Sequence, residues 1–522
     1  MCVPRGRLGN GVGAVGGRQL ASRSVWGGSI AVSDGVRASF AWCCGGVVKR
    51  FIPFDPDQPL LLPPDLREAL PASHPAVLVG ELVEQLDLGE VYANLADEAR
   101  GGAPGFDPRM LVRVWIYAYL TGVRSSRRVA QALVENVAFR VLSNNQTPQY
   151  WALNRFRTRH RVALGNLLVQ TVSLAAGMGL VKLAMVAIDG TKIKANASKH
   201  KALSYGRMPE REERLRREVE QYLNECDDVD EEEERSLGPD DDGVSLPPEL
   251  RSVQARRNKI AAAKRELEER ARERRASEQA QRRADAEREG RSYQPRERVE
   301  DAVPKASDQI NLVDPESRIM LSGGAFVQAY NGQAAVDTES HIVVAATLSN
   351  QAVDAPHLPE LVDQTVKTTG RTPDVIAGDA GYSSAENVQR IEELGAEALI
   401  PPDKVRHSEW RAQQAPKGRI PNDISSQDRM RRKLATKRGK RLYLKRQASV
   451  EPVFGTTKSA RGLQQFLHRG LEKNHHLFRF DMAVHNIMKL IRQLQQALKA
   501  PNTTSNGHNP TRTGARAAIA TA

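Results

Sequence analysis

Leu183-Ala184-Met185-Val186-Ala187-Ile188-Asp189-Gly190 is an apolar run that closes on a carboxylate. Such a run reads as a buried strand, and Asp189-Gly190 reads as the turn that ends it. The pattern returns in Asp374-Val375-Ile376-Ala377-Gly378-Asp379, again with an acid at the strand's end. A carboxylate in that position is costly unless a cation compensates it. In open α/β sheets, sites collect outside the ends of neighbouring strands, so Asp189 and Asp379 are expected to share cations. A third acid, Glu451, opens Glu451-Pro452-Val453-Phe454-Gly455 just after the most basic stretch of the chain. A residue before proline avoids the α conformation. Glu451 is therefore expected at the boundary of a helix starting at Pro452, its charge favoured by the helix dipole. Lys458 lies about two turns further on, placed to reach a phosphate next to the reacting one. Three carboxylates converging from separate elements make the oxygen-rich site that Mg²⁺ prefers. Beside a basic surface, they point to metal-assisted chemistry on a nucleic-acid phosphate.

The composition agrees. The chain has 522 residues, enough for two to four units. Its net charge is +13 and its pI about 9.6, which favours a polyanionic partner. The charge is local: 15 Lys and Arg stand against 3 Asp and Glu between Lys404 and Arg446, as a phosphate-binding face would require. The four cysteines, Cys2, Cys43, Cys44 and Cys226, form no CxxC pair. That excludes a disulfide framework or zinc ribbon and fits a reducing cytoplasm. Gly-rich sequence follows Arg5 and Arg7, so a secretory signal is not expected. The longest weakly polar stretch, Thr171 to Val181, is too short to span a bilayer.

Residues 1–48 lack periodicity and read as a disordered tail, as do 496–522. Residues 50–180 read as an all-α domain. Asp107 caps a helix with Pro108 in its first turn and the stripe Leu111, Val114, Trp115, Ala118, Tyr119, and Gly122 suits its end. Asn154 to Arg161 reads as a basic helix start, which fits either helix-turn-helix DNA binding or a solvated basic face. Arg155 and Arg157 are its candidate phosphate contacts. Residues 181–495 read as a mixed α/β unit interrupted at 199–305 by a helical insertion. That insertion has helices near 208–225 and 248–289 around the acidic break Asp227 to Asp242. A hairpin through Asp337 to Ser340, helix 355–368, strand 373–379, helix 384–394 and strand 396–400 follow. Ser383 to Glu386 reads as a capping box. The adjacent His475 and His476 read as exposed, facing apart on a helix. The fold class is thus α/β, a mixed sheet flanked by helices.

Several of these segments together carry a family resemblance. Asp189-Gly190-Thr191-Lys192-Ile193-Lys194-Ala195-Asn196-Ala197-Ser198, Tyr330-Asn331-Gly332-Gln333-Ala334-Ala335-Val336-Asp337, Gly378-Asp379-Ala380-Gly381-Tyr382-Ser383 and Val450-Glu451-Pro452-Val453-Phe454-Gly455-Thr456-Thr457-Lys458 resemble the DDE transposases of bacterial insertion sequences. So do Phe466-Leu467-His468-Arg469-Gly470 and His485-Asn486. The resemblance spans about residues 50–495. It implies an RNase H-like core with Asp189, Asp379 and Glu451 as metal ligands and catalytic residues. Two Mg²⁺ ions, with Mn²⁺ as a substitute, would be the cofactors. The family's Tyr-Arg-Glu-Lys signature falls on Tyr443, Arg446, Glu451 and Lys458, with the Arg–Glu interval one residue longer than usual. It implies DNA contacts from Tyr443, Arg446 and Lys458. The partners it implies are the terminal inverted repeats and target DNA, with a homodimer in the synaptic complex, near the bacterial nucleoid and not at a membrane. The Cys cluster that some relatives carry after the second Asp is absent, which excludes a Cys-ligated zinc there. Trp410 is placed to stack near a cleaved end. A catalytically silent DNA-binding relative, an RNase H-like nuclease without joining activity and a scaffold built on 205–300 are the other readings.

Overall fold

The computed structural model describes residues 66–96, 105–220, 248–404 and 424–499, apart from positions 67 and 219, together with Gly418 and Pro421. All of them lie within one compact unit, Val48–Ala522. The expected tail at 1–48, the acidic break and Trp410 lie outside the described residues.

Seven helices come first: α1 (Pro75–Val83), α2 (Gly89–Ala96), α3 (Pro108–Leu120), α4 (Ser126–Glu135), α5 (Val137–Leu142), α6 (Tyr150–Arg159) and α7 (Arg161–Gly177). Asp107 caps α3 as its sequence predicts, accepting from the Arg109 and Met110 backbone N–H groups at 2.7 and 3.4 Å. Such a cap contributes about 1 kcal/mol. The stripe expected on α3 is wider than its spacing suggests: Met110 to Tyr119 are all buried. A helix that is apolar all round belongs at the centre of a bundle. Asn154 to Arg161 is not a helix start. Asn154 to Arg159 is the second half of α6, which ends at His160, and Arg157 and Arg159 lie in its last turn, where a helix C-terminus favours cations; Arg161 opens α7.

The main sheet runs β4 (Arg318–Ser322), β5 (Ala325–Asp337), β1 (Val186–Lys194), β7 (Val375–Ala377), β8 (Glu397–Leu399), with β6 (Val343–Ser349) also pairing β5. β1 is antiparallel to β5 and parallel to β7, so the sheet is mixed. This is the RNase H-like architecture the sequence predicts. β5 is long enough to pair β4 along Ala325 to Ala329 and β6 along Asn331 to Val336. The β5–β6 turn is fixed by Asp337, fully buried, which accepts from the backbone N–H groups of Lys182, Leu183, Glu339 and Ser340.

The insertion holds β2 (Ala202–Ser204) paired with β3 (Gln309–Asn311), a helix over 208–218 (α8), and α9 (Pro248–Arg288). Leu203, Met208, Leu215, Ile260, Leu267 and Ile310 give it a small core of its own. The remaining helices are α10 (Leu358–Thr369), α11 (Ala385–Glu393), α12 (Ser426–Ala435), α13 (Lys437–Gly455) and α14 (Leu471–Lys499). Ser384, not Ser383, caps α11, through the Asn387 N–H at 3.0 Å. α14 ends at Lys499, where the helical sequence is expected to end, four residues past the domain boundary at 495. Its Asn486 grips the Val343 backbone on β6 through both amide atoms and reaches Thr171 of α7. His475 and His476 are half-buried rather than exposed, and the His475 Nδ1 accepts from the Leu348 N–H of β6. Gly332 lets α14 approach β5: a Cβ there would stand 2.8 Å from the Phe478 ring.

The helical domain is anchored to the α/β unit by charge. Arg124, just before α4, pairs with Asp481 of α14 and donates to the Arg461 carbonyl at 2.7 Å. Asp481 is fully buried, so its charge is tolerated only because this pair satisfies it.

Candidate active site

β1 does not turn at Gly190. It runs on to Lys194, because Gly190 to Lys194 pair with Gln333 down to Ala329 of β5. Gly190 has another purpose: a Cβ there would stand 2.5 Å from Gln333 Nε2 and 2.9 Å from Asp354 Oδ1. The glycine is required by a close approach, which its place before a polar run disguised as a turn.

Asp189 therefore sits within β1. β7 pairs with β1 at Ala187 and Ala377, and each aspartate lies two residues beyond its paired alanine. Neighbouring strands are about 4.8 Å apart, so Asp379 comes up beside Asp189. Asp379 is held as the cap of a short turn, its Oδ1 accepting from the Gly381 N–H at 2.8 Å. Asp189 Oδ1 accepts from the Gly190 N–H at 2.8 Å, and its Oδ2 meets Arg446 Nη1 of α13 at 3.3 Å. Burial pushes the Asp189 carboxyl up to about 6. Arg446 opposes that shift and the charge of Asp379 adds to it. The Arg446 guanidinium is itself buried and lies 5.2 Å over the Tyr443 ring. Burial raises the Tyr443 hydroxyl, with Arg446 pulling it down and Asp379 among the charges raising it, so this tyrosine shares the same neighbourhood.

Glu451 is not where its proline placed it. α13 runs through Pro452 to Gly455, so Glu451 lies inside the helix and is exposed. Among the described residues, no group of three or more His, Cys, Asp or Glu is close enough to hold a metal ion. The fold thus brings two acids of the expected three together and leaves the third on the helix that crosses them. Lys458, in a π turn at Thr456–Ala460, donates to the Lys192 carbonyl of β1 at 2.8 Å. Burial lowers its amine and Lys192 adds to that.

A fourth carboxylate, Asp354, escaped the sequence reading because it precedes Ala355-Pro356 and looks like an ordinary helix cap. Its side chain makes no cap hydrogen bond. Instead Oδ1 accepts from Asn331 at 2.8 Å, Gln333 at 2.7 Å and Lys192 at 3.0 Å. Burial works against the Asp354 charge, but Asn331, Lys192 and Gln333 outweigh it and hold the carboxyl below its ordinary value. Gln333 also accepts from the buried Tyr382 hydroxyl, tying this network to the segment that carries Asp379. The signal that could have found it was the polar pair Asn331 and Gln333 in an otherwise apolar strand.

Arg155 and Arg157 part company. Arg155 is exposed on α6. Arg157 is 3% exposed, donates to the Arg124 carbonyl at 2.7 Å and stacks 4.2 Å over Trp115. It fixes α6 against α3 and offers no face to a phosphate.

Asp189 and Asp379 fit a divalent cation: both are oxygen donors, and burial, with the neighbouring Asp379 charge, leaves the Asp189 carboxyl raised in spite of Arg446. Family models extend the picture. A transposase DDE domain matches residues 309–487, and a transposase domain (DUF772) matches residues 64–159. The first match contains Asp379, Tyr443, Arg446, Glu451 and Lys458, and the second contains Arg155 and Arg157. Asp189 lies in neither, so its place rests on the register of β1 with β5 and β7. No curated protein and no solved structure matches the chain. No helix among the described residues is long and apolar enough to cross a membrane.

Proposed function

The chain belongs to the insertion-sequence DDE transposases, and on that premise we propose that it cleaves the ends of a mobile element and joins them to target DNA. The family works on DNA and generally uses divalent metals. The observation that carries the finer reading is the placement of Asp379, in the turn that follows β7, beside Asp189 of the parallel strand β1. These two, with Glu451 as the third ligand, would hold Mg²⁺ or Mn²⁺. When bound, such a pair of ions supplies an activated water or 3′-hydroxyl and stabilises the leaving oxygen.

The chain's own residues do the rest. Asp189, from β1, and Asp379, from the turn after β7, would present their carboxylate oxygens to the cation. Arg446 keeps Asp189 partly ionised against its burial and restrains the carboxylate's orientation. Lys458, held at the Lys192 carbonyl, offers its remaining N–H donors to the adjoining phosphate. Tyr443 closes the side of the pair nearest Arg446. Arg155 contributes backbone-phosphate contacts that position DNA without reading bases. Synapsis of two DNA ends calls for a second copy of the chain.

The test is end-labelled DNA carrying the element's inverted repeats, incubated with the full-length protein and Mg²⁺. Asp189→Asn, Asp379→Asn and Glu451→Gln should each reduce nicking and joining to background while binding survives. Equal joining by wild type and Asp189→Asn would overturn the assignment. Products that are nicked and never joined would put a plain nuclease in its place.

A further inference from the structure

A groove of about 770 Å³ opens on the helical domain, lined by Ser125, Ser126 and Arg127 at the start of α4 and by Tyr150, Trp151 and Arg155 on α6. None of the site carboxylates lines it. Two of its aromatics are exposed, Trp151 by 60% and Tyr150 by 44%, while Trp115 on the neighbouring α3 is fully buried. The Arg127 guanidinium lies 5.2 Å over the Tyr150 ring. Arg159 and Arg161 add cationic lining, Arg161 being paired with Glu472 at 2.8 Å, and among the described residues no acid lines the groove.

This combination selects its occupant by chemistry. An apolar protein segment would itself offer the arginines no charge of opposite sign. Duplex DNA would match the arginines and leave the aromatic faces idle, because its bases are already stacked. An unpaired DNA strand uses both, since its bases stack on exposed rings while its phosphates follow the cations. We propose that this groove binds unpaired nucleotides of the DNA substrate, with a base stacked on Trp151 and the adjoining phosphate at Arg127. The proposal rests on the DNA-processing reading above and adds a site to it.

The segment that leads into the groove adjoins the turn that carries Lys458. The segment between α3 and α4 packs on the end of the Lys458 turn: a Cβ at Gly122 would stand 3.1 Å from the Ala460 carbonyl, and Arg124 donates to the Arg461 carbonyl at 2.7 Å. Ser125 and the groove follow directly.

The experiment measures binding by the full-length protein in EDTA, where no cleavage intervenes. The probes are a blunt fluorescent duplex, the same duplex with a short unpaired tail, and an oligothymidine of matching length. Trp151→Ala should weaken the tailed duplex and the oligothymidine about 10-fold or more while changing the blunt duplex less than about twofold. Trp151→Phe, which keeps an aromatic face, should recover most of the loss. Arg127→Ala should weaken the tailed duplex and reduce the salt dependence of its binding. If the tail adds no affinity, or if Trp151→Ala weakens blunt and tailed DNA equally, the groove is not a site for unpaired strand. Mg²⁺-dependent cleavage by the wild type is scored separately. Intact cleavage with no tail preference would overturn the groove alone, whereas absent cleavage would count against the transposase chemistry.

Discussion

Gly190→Ala is the sharpest perturbation that the site offers, because the change adds one methyl group where three groups already meet. The new Cβ would stand 2.5 Å from Gln333 Nε2, 2.9 Å from Asp354 Oδ1 and 3.1 Å from Gln333 Cδ. Gln333 cannot swing away freely, since it donates to Asp354 at 2.7 Å and accepts from the buried Tyr382 hydroxyl. Either the methyl is accommodated by strain, at about 1–3 kcal/mol, or Gln333 gives up its charge-assisted bond, at about 1.5–3 kcal/mol. A loss of about 2–3 kcal/mol is expected, read from urea unfolding followed by circular dichroism. Gln333→Ala is destabilising by itself because it leaves Tyr382 and Asp354 short of a partner. It also vacates the space the methyl needs, so Gly190→Ala with Gln333→Ala should cost less than the sum of the two by about 1 kcal/mol or more. Cleavage activity should fall with Gly190→Ala, since the Gly190 N–H holds Asp189. A Gly190→Ala protein within about 0.5 kcal/mol of wild type, or strictly additive effects in the double variant, would refute the close-approach argument.

Asp189 titrates near 6 in the folded protein and near 3.8 otherwise, so between those values the unfolded chain releases the proton first. Native stability in chelator should therefore fall as pH rises from about 4 to about 6, by about 1.4 kcal/mol per unit from this group. The slope for Asp189→Asn should be flatter by that amount, and identical slopes in urea unfolding at pH 4, 5 and 6 would contradict it. Arg446→Ala removes the cation that favours ionised Asp189, so the acidic limb of the pH–rate profile should move up by about one unit. Arg446→Lys should restore most of the shift, and an unmoved limb would separate Arg446 from Asp189. Gly332→Ala should destabilise by about 1–3 kcal/mol through the Phe478 ring. Phe478→Leu should rescue part of that loss in a thermal melt.

The sequence made the sheet legible where its alternation and apolar runs were strong: Val186 to Asp189, the β5–β6 hairpin and Val375 to Ala377 all lie where they were expected. It misled where tertiary contacts outweighed local preference. Thr191, Lys192 and Lys194 look like loop residues, yet β5 supplies the ladder that keeps them in β1. Pro452 looks like a helix start, and a proline in a helix interior costs about 3 kcal/mol. α13 passes through it because Val450, Val453 and Phe454 are buried on either side. Arg157 looked like one more basic residue in a basic run; only the packed structure shows Trp115 and the Arg124 carbonyl waiting for it.

The arrangement of the three acids follows from what holds each one. Asp189 is held in the β1 ladder, and Asp379, two residues past the end of β7, is held by its cap on the Gly381 N–H, so both have backbone anchors that resist change. Glu451 hangs on α13, whose side chains hold it to the sheet and its turn, Arg446 on Asp189 and Ser449 on the Thr338 carbonyl, while Lys458 in the following π turn holds the Lys192 carbonyl. Both irregularities of that helix come after Glu451, the proline at 452 and the π turn at 456–460, and each removes or displaces a rung of the helical ladder. A helix interrupted in this way can rotate its exposed face at lower cost than a strand can leave its ladder. Bringing Glu451 onto the aspartate pair therefore calls for an adjustment of α13 alone, and Arg446, which now neutralises Asp189, is the contact that such an adjustment must release or reshape.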